Sequence, residues 1–523
     1  MTEKRWDAIV VGAGSAGAAL AARLAENGRQ VLLVDAGPDY RSSDMPEAWR
    51  SMNPEVALLD QSALEKIVWT DIQASRTAKQ APREYWRGTG VGGSSAINGQ
   101  IAIRPPLEEF DRWAAQGCFG WSGAEVLPYF ARLEDDFAYG ELPHHGQGGP
   151  IPIFRMDEKD WGAIDLALKT AALAAGHPWA PDVNAPGATG VSTYPINSRA
   201  RRRVTTNDGY LEPARGLANL TIQGGTLVDR VLFAGNRAVG IQAIVDGAVA
   251  SYFADEVVLC AGAIHSPTVL MRSGIGPADH LRGHGIDVRY DLAVGQGLQD
   301  HPLSSIEIPI VTSARAALDG RHTNVCVRYS SGAGEAPPND MMLVSLNQQL
   351  VVLVNQDLRH HIGAFGVWVN HVYSRGSVTL TSTDPTVHPE VHLQMLSDDR
   401  DLARLRDGVR HLHELTRDGS VAELLDGSIE KQNERLFSVI DNDDELGDYL
   451  LATVEETQHA TSTCRMGPSD DPMTVVDSNC RVLGVDGLRV VDASIFPTVP
   501  SANTNLTAIM AGELIAARYD TPN

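Results

Sequence analysis

The sequence predicts an α/β protein that opens on a strand–helix–strand unit, and three observations carry that reading. Two short apolar runs near the N-terminus flank a glycine-rich turn and a run of strong helix formers. At 523 residues the chain has room for two large domains or one elaborate one. Composition is globular, 43% hydrophobic and 21% charged, with no low-complexity tract or internal repeat.

Each element follows from its residues. Ala8 to Val11 is short, apolar and partly β-branched, which predicts a buried strand. Ala16 to Ala25 favours a helix, Asn27-Gly28 supplies its stop, and Val31 to Val34 predicts a second buried strand. Gly12, Gly14 and Gly17 fall as G-x-G-x-x-G inside this frame. The first permits a tight turn, the second a close approach to a pyrophosphate, and the third close packing of helix on strand. The helix start at Ser15 offers free N–H groups and a positive dipole end to phosphates. Asp35 closes the second strand, 18 residues after Gly17, where a carboxylate can accept bonds from ribose hydroxyls. Together these predict a dinucleotide site; this unit alone does not choose between NAD and FAD.

Charge and cysteine usage narrow the partners. With 43 Lys and Arg against 66 Asp and Glu, the net charge of −23 argues against any partner presenting a phosphate backbone. The one basic run, Arg199 to Arg203, reads as a solvated face or as partners for local carboxylates. Five cysteines without a C-x-x-C pair suggest neither a disulfide framework nor a zinc site, so the reducing cytoplasm is the expected location. His144-His145 and His360-His361 are adjacent pairs without i, i+4 ligand spacing, and no H-E-x-x-H occurs, so no metal is expected. The apolar run Ala8 to Ala25 is punctuated by glycine and carries Arg23, which argues against a leader or a membrane span.

Further along stand "GTGVGGSSAINGQIAIR" (Gly88 to Arg104), "WAAQGCFGWSGAEVLPYFARLE", "HHGQGGP", "SGIGPADHLRGHGIDV", "VGQGLQDHP" and "SRGSVTLTSTDP". Near the C-terminus come "ETQHATSTCRMG" (Glu456 to Gly467) and "VVDASIFPTVPSANTNLTAIMAGE" (Val490 to Glu513). In this order, over nearly the whole chain, they resemble the glucose–methanol–choline (GMC) family of flavin oxidoreductases. The resemblance implies FAD, bound by a Rossmann-like domain of the GMC type assembled from residues 1–154, 190–302 and 452–523. A second, sheet-based α+β substrate domain would comprise 155–189 and 303–451, and "NDMMLVSLN" and "GAFGVWVNHVYSRGSVTL" show β-type runs suited to a sheet over the flavin. Met341, Met342, Phe365, Trp368 and His371 fall there, where they could line a pocket or pack that sheet, packing being the expectation for each.

The glycine-rich stretch is too broken for a regular helix or strand, so a backbone wrapped around a ligand explains it best. By the resemblance Gly90, Gly93, Ser94, Asn98 and Gly99 contact the diphosphate and the flavin edge, and Val228 reaches the adenine through its main chain. Asp492 and Ala493 meet the cofactor after a late strand, and the same likeness adds Ala16, Ala36, Trp69 and Thr504. Some family members tether the flavin through a histidine where this chain has Ile97, so the FAD is expected to be non-covalent.

His459 and Asn503, 44 residues apart, match the two positions of the family's active-site pair. Oxidation of an alcohol by hydride loss to flavin N5 needs a base for the hydroxyl proton. An imidazole of unperturbed pKa ~6.5 suits that task. An uncharged amide can hydrogen-bond the developing alkoxide, although Asn503 also sits where it could cap the helix that follows. The expected reaction is oxidation of an alcohol, a primary one, with O2 or another acceptor taking the electrons. The alternative is a relative without net alcohol oxidation, a hydroxynitrile lyase or a photodecarboxylase; lyase relatives favour histidine at the second position. His301, in "LQDHP", is expected mainly to pack.

Overall fold

The computed structural model describes residues 5–58, 61–317, 319–333, 335–348 and 361–520; His360 lies outside them. The opening strand Arg5–Val11, the helix Ser15–Glu26 and the strand Val31–Val34 form as the apolar periodicity predicts. Arg5–Val11 pairs in parallel with Val31–Val34 on one side and with Ala248–Leu259 on the other. Leu220–Gln223 extends the sheet in parallel beyond Val31–Val34, while Thr226–Ala234, Arg237–Val245 and Ala248–Leu259 form an antiparallel meander. The late strand Leu488–Val490 joins in parallel against Val257 to Leu259. Parallel strands at the centre of a sheet need both faces covered, which is why Ala8 to Val11 and Val31–Val34 are continuously apolar.

The C-terminal helix Thr504–Ala517 is buried around most of its circumference and packs against Ser15–Glu26. Gly512 permits the approach: a Cβ there would lie 2.5 Å from Ala16 O. The one acid in the helix core, Glu513, is fully buried and bonded by Arg23 and Tyr210. A helix hydrophobic all round belongs inside a large protein.

A second sheet is wholly antiparallel, in the order Glu455–Glu456, Pro302–Pro309, Ile362–Val369, Met341–Leu346, Val325–Tyr329, Gly190–Thr193. Helices Ala163–Ala174 and Asp399–Leu415 pack on it. Both edge strands come from segments assigned by the sequence to the cofactor side, 190–302 and 452–523, so the sheet takes in more of the chain than 155–189 and 303–451. Strand pairing is set by register partners far away in sequence, which a local pattern does not contain. The β-type stretch Gly363 to Leu380 is divided between two sheets. Ile362–Val369 enters this sheet, whereas Gly376–Thr379 joins a separate five-stranded sheet with Gln296–Leu298, Glu390–His392, Gln73–Ser75 and Arg83–Glu84.

The basic run divides too. Arg199, Arg201 and Arg202 pair with Asp135, Asp160 and Glu47, as a local-partner reading expects, but Arg203 is buried. Its guanidinium bonds the carbonyls of Trp49 and Asn98 at 3.1 and 2.7 Å and the Asn98 side chain at 3.0 Å. The five cysteines are free thiols, all buried. His145 is buried among Glu134, Asp136 and Asp182, which absorb both ring nitrogens.

Candidate active site

A cavity of about 510 Å³ lies between the two sheets and collects residues from both. The N-terminal unit contributes Gly12, Gly14, Ser15, Ala16, Asp35 and Ala36 to its wall. Gly12 has φ +103, and a Cβ there would meet Cys260 O at 2.4 Å, so no other residue fits the turn. The helix after it carries no side-chain cap, leaving the N–H groups of its first turn free toward the cavity. Gly17 stays off the wall: its Cβ would fall 1.9 Å from Gly12 O, so its role is close helix packing.

Asp35 does more than sequence spacing suggests. Its Oδ2 accepts the Ala13 N–H at 2.7 Å, and its Oδ1 accepts those of Gly37 and Gly90 at 2.9 and 2.7 Å. One carboxylate therefore ties the glycine turn, its own strand end and the distant stretch around Gly90 together. Gly90, away from the wall itself, is held by this bond.

Gly93, Ser94, Asn98 and Gly99 line the cavity from the second glycine-rich stretch. A Cβ on Gly93 would lie 2.7 Å from Gly14 Cα, so the two glycine-rich segments cross at bare backbone. The Ser94 hydroxyl accepts the Gly88 N–H, and Asn98 Oδ1 accepts from Gln100 N and Arg203. Val228, Trp69, Asp492, Ala493 and Thr504 also reach the wall. Asp492 is spent on the protein, accepting from Gly262 N, Ser266 and Ser494 N at 2.9, 2.6 and 2.8 Å.

His459 and Asn503 meet on this cavity. Nε2 of His459 is 3.0 Å from Nδ2 of Asn503. Asn503 occupies the N-cap position of Thr504–Ala517 but makes no side-chain cap bond, so the helix positions the amide without consuming it. Its Oδ1 is buried without a partner. On the other side of the ring, Nδ1 lies 2.6 Å from Thr457 Oγ1 and 2.9 Å from His301 Nδ1. Burial and the nearby Arg87 guanidinium push the His459 pKa down to about 3, so the imidazole is neutral throughout the working range.

His301 is thus in contact with the pair rather than mere packing. Trp368, expected to pack the sheet, lines the cavity with Val344 and Leu346, whereas Met341, Met342 and Phe365 stay in the core. His265 and His322 also line the wall, the first half-buried and the second buried, each with one ring nitrogen unpartnered and a pKa pushed down by desolvation. No local pattern marks these two in the sequence; only the fold brings them here.

The residues fit FAD. Bare backbone at Gly14 and Gly93, free helix N–H groups, and buried unpartnered polar atoms on His265, His322 and Asn503 suit a long group with both phosphate and ring character.

Comparison with known proteins agrees. Residues 6–303 and 372–512 match the GMC oxidoreductase family. The chain is 35% identical over 544 residues to the 5-(hydroxymethyl)furfural oxidase of Methylovorus sp. (strain MP688), covering 99% of each. It is 33% identical to the mitochondrial choline dehydrogenase of Mus musculus, over 97% of this chain and 88% of that protein. Among solved structures, pyridoxine 4-oxidase from Mesorbium loti superposes with a TM-score of 0.88 at 28% identity, covering 99% of this chain and all of that one. The chain belongs to the GMC oxidoreductase family, with its two-domain FAD-binding fold, and is an oxidoreductase acting on CH–OH groups. Among the described residues no helix is long and apolar enough to cross a membrane.

Proposed function

We propose that the protein oxidises a primary alcohol to the carbonyl, with His459 as base, Asn503 as hydrogen-bond donor to the reacting oxygen, and FAD held without a covalent bond. The observation that carries this reading is the 3.0 Å contact of His459 Nε2 with Asn503 Nδ2 on the cavity wall. An alcohol oxygen seated beside both, within reach of each, would give its proton to Nε2 and accept the amide N–H. FAD, when bound, supplies the two-electron acceptor. Ile97 lines the cavity and offers no nucleophile for a covalent link, which supports a dissociable cofactor.

The electrostatics favour an uncharged substrate. Among the described residues the carboxylates on the wall are Asp35, Glu456 and Asp492. Asp35 and Asp492 are bonded as above, and Glu456 forms a buried bidentate pair with Arg76. None is left to hold a quaternary ammonium group, while Trp368, Val344 and Leu346 provide apolar surface.

The test is the visible spectrum of the FAD-loaded protein without air, titrated with 5-(hydroxymethyl)furfural, benzyl alcohol and choline. Bleaching by the neutral alcohols ahead of choline is expected; a yellow protein that no alcohol bleaches would sink the reading. Re-admitted air then separates O2 from another acceptor by the speed of recolouring. Acid precipitation should leave the yellow colour in the supernatant.

A further inference from the structure

The cluster behind His459 determines more than its position. Four donors converge on the buried Asp300 carboxylate. The Tyr85 hydroxyl reaches Oδ2 at 2.6 Å, while Oδ1 receives the backbone N–H of His301 at 2.8 Å, that of His459 at 2.9 Å and Thr457 Oγ1 at 3.1 Å. An oxygen that already receives two backbone N–H groups is held as an acceptor, so Oδ1 claims the single proton of the Thr457 hydroxyl. That leaves lone pairs on Oγ1 toward His459 Nδ1, 2.6 Å away, and the contact is attractive only if Nδ1 carries a proton. His301 Nδ1, 2.9 Å from the same atom, must then present its lone pair. The proton of the neutral His459 ring is thereby placed on Nδ1, the nitrogen opposite the one that faces Asn503.

The cavity side could not make this choice. Asn503 can turn its amide to offer N–H to a bare Nε2 or oxygen to a protonated one, so it adapts to either tautomer. Asp300 cannot adapt, because two of its donors are backbone N–H groups.

We propose that Thr457 and Asp300 form a tautomer lock, a positioning pair that holds the His459 proton on Nδ1 and leaves the Nε2 lone pair for the substrate hydroxyl. The inference rests on the reading of His459 as base. The wrong tautomer would present an N–H where a proton acceptor is required, and binding of substrate would be little affected while proton transfer stalled.

The experiment compares Thr457→Val, Thr457→Ser and His459→Gln in the FAD-loaded protein. Two readouts are taken: the limiting rate of anaerobic bleaching with a neutral primary alcohol, and the 15N shifts of the labelled histidine rings, which report the tautomer directly. The wild-type protein should show His459 protonated at Nδ1. Valine, which keeps the shape of threonine, should lower the limiting rate at least tenfold with little change in half-saturation, and should weaken the Nδ1–H signature. Serine should restore both. A Thr457→Val protein with unchanged rate, an unchanged Nδ1–H signature, or a loss that serine does not repair would overturn the lock. If His459→Gln itself bleaches at the wild-type rate, the base assignment fails; if it is inactive while Thr457→Val is normal, only the lock fails.

Discussion

At the scale of single residues, Asn503 separates two roles that sequence alone leaves entangled. It stands at the N-cap position, yet the helix Thr504–Ala517 takes no side-chain bond from it, and its amide meets His459 instead. Loss of a working cap costs about 0.5–2 kcal/mol, whereas loss of a donor to a developing oxyanion costs ~10²–10³ in rate. Asn503→Ala should therefore slow anaerobic bleaching by about that factor while the melting temperature stays near wild type; a large drop in melting temperature with little change in rate would return Asn503 to capping. His459→Gln should lose roughly 10²–10⁴ of the same rate, measured with the cofactor still bound. The pairing was legible only through the family likeness, which marks two positions that His459 and Asn503 occupy 44 residues apart. Thr457, Asp300 and His301 were not legible in this role, because their significance lies in which atom of His459 each one faces.

At the scale of elements, the cradle proposed for the cofactor depends on two glycine-rich segments crossing without side chains. Gly93→Ala would drive a Cβ to within 2.7 Å of Gly14 Cα, at a φ of +48. We expect such a protein to purify with far less FAD, read as the ratio of visible to protein absorbance; full occupancy would show that the backbone yields there. Asp35 fastens the same crossing by accepting three backbone N–H groups. Asp35→Asn would turn one acceptor into a donor facing backbone N–H and leave a buried donor unpaired, an error worth about 1–3 kcal/mol. Lower FAD retention and a lower melting temperature should follow together. The first glycine turn was readable from its strand and helix neighbours, but its fastening to Gly90 was not, since the two are far apart in sequence. Arg203 teaches the same lesson: its neighbours in the basic run face solvent carboxylates, while it alone turns inward to hold the Asn98 segment.

At the scale of the whole molecule, burial of neutral histidines makes the fold sensitive to acid. Burial pushes His265, His301, His371 and His459 down to about 3. The unfolded chain binds protons at these rings near pH ~6.5, so stability present above that pH is lost as the pH falls toward 3, by ~1.4 kcal/mol per pH unit for each such ring. His145 works in the opposite sense: despite its burial, Asp182 and Glu134 raise its pKa, so its contribution is present at low pH and fades as the pH rises. Four rings outweigh one, and the melting temperature should fall clearly between pH 7.5 and 5.5; a flat profile would show that these rings are protonated in the fold. The sequence by itself determined the opening strand–turn–helix–strand unit and the family, because each is written in short stretches whose order and local pattern survive without the fold, and through that family likeness it marked His459 and Asn503 as candidates. Only the tertiary structure decided which segments build the sheet over the cavity, that Trp368 lines it, and which groups face each nitrogen of His459. Strand pairing, cavity walls and hydrogen-bond direction all depend on groups that meet in space after being far apart along the chain.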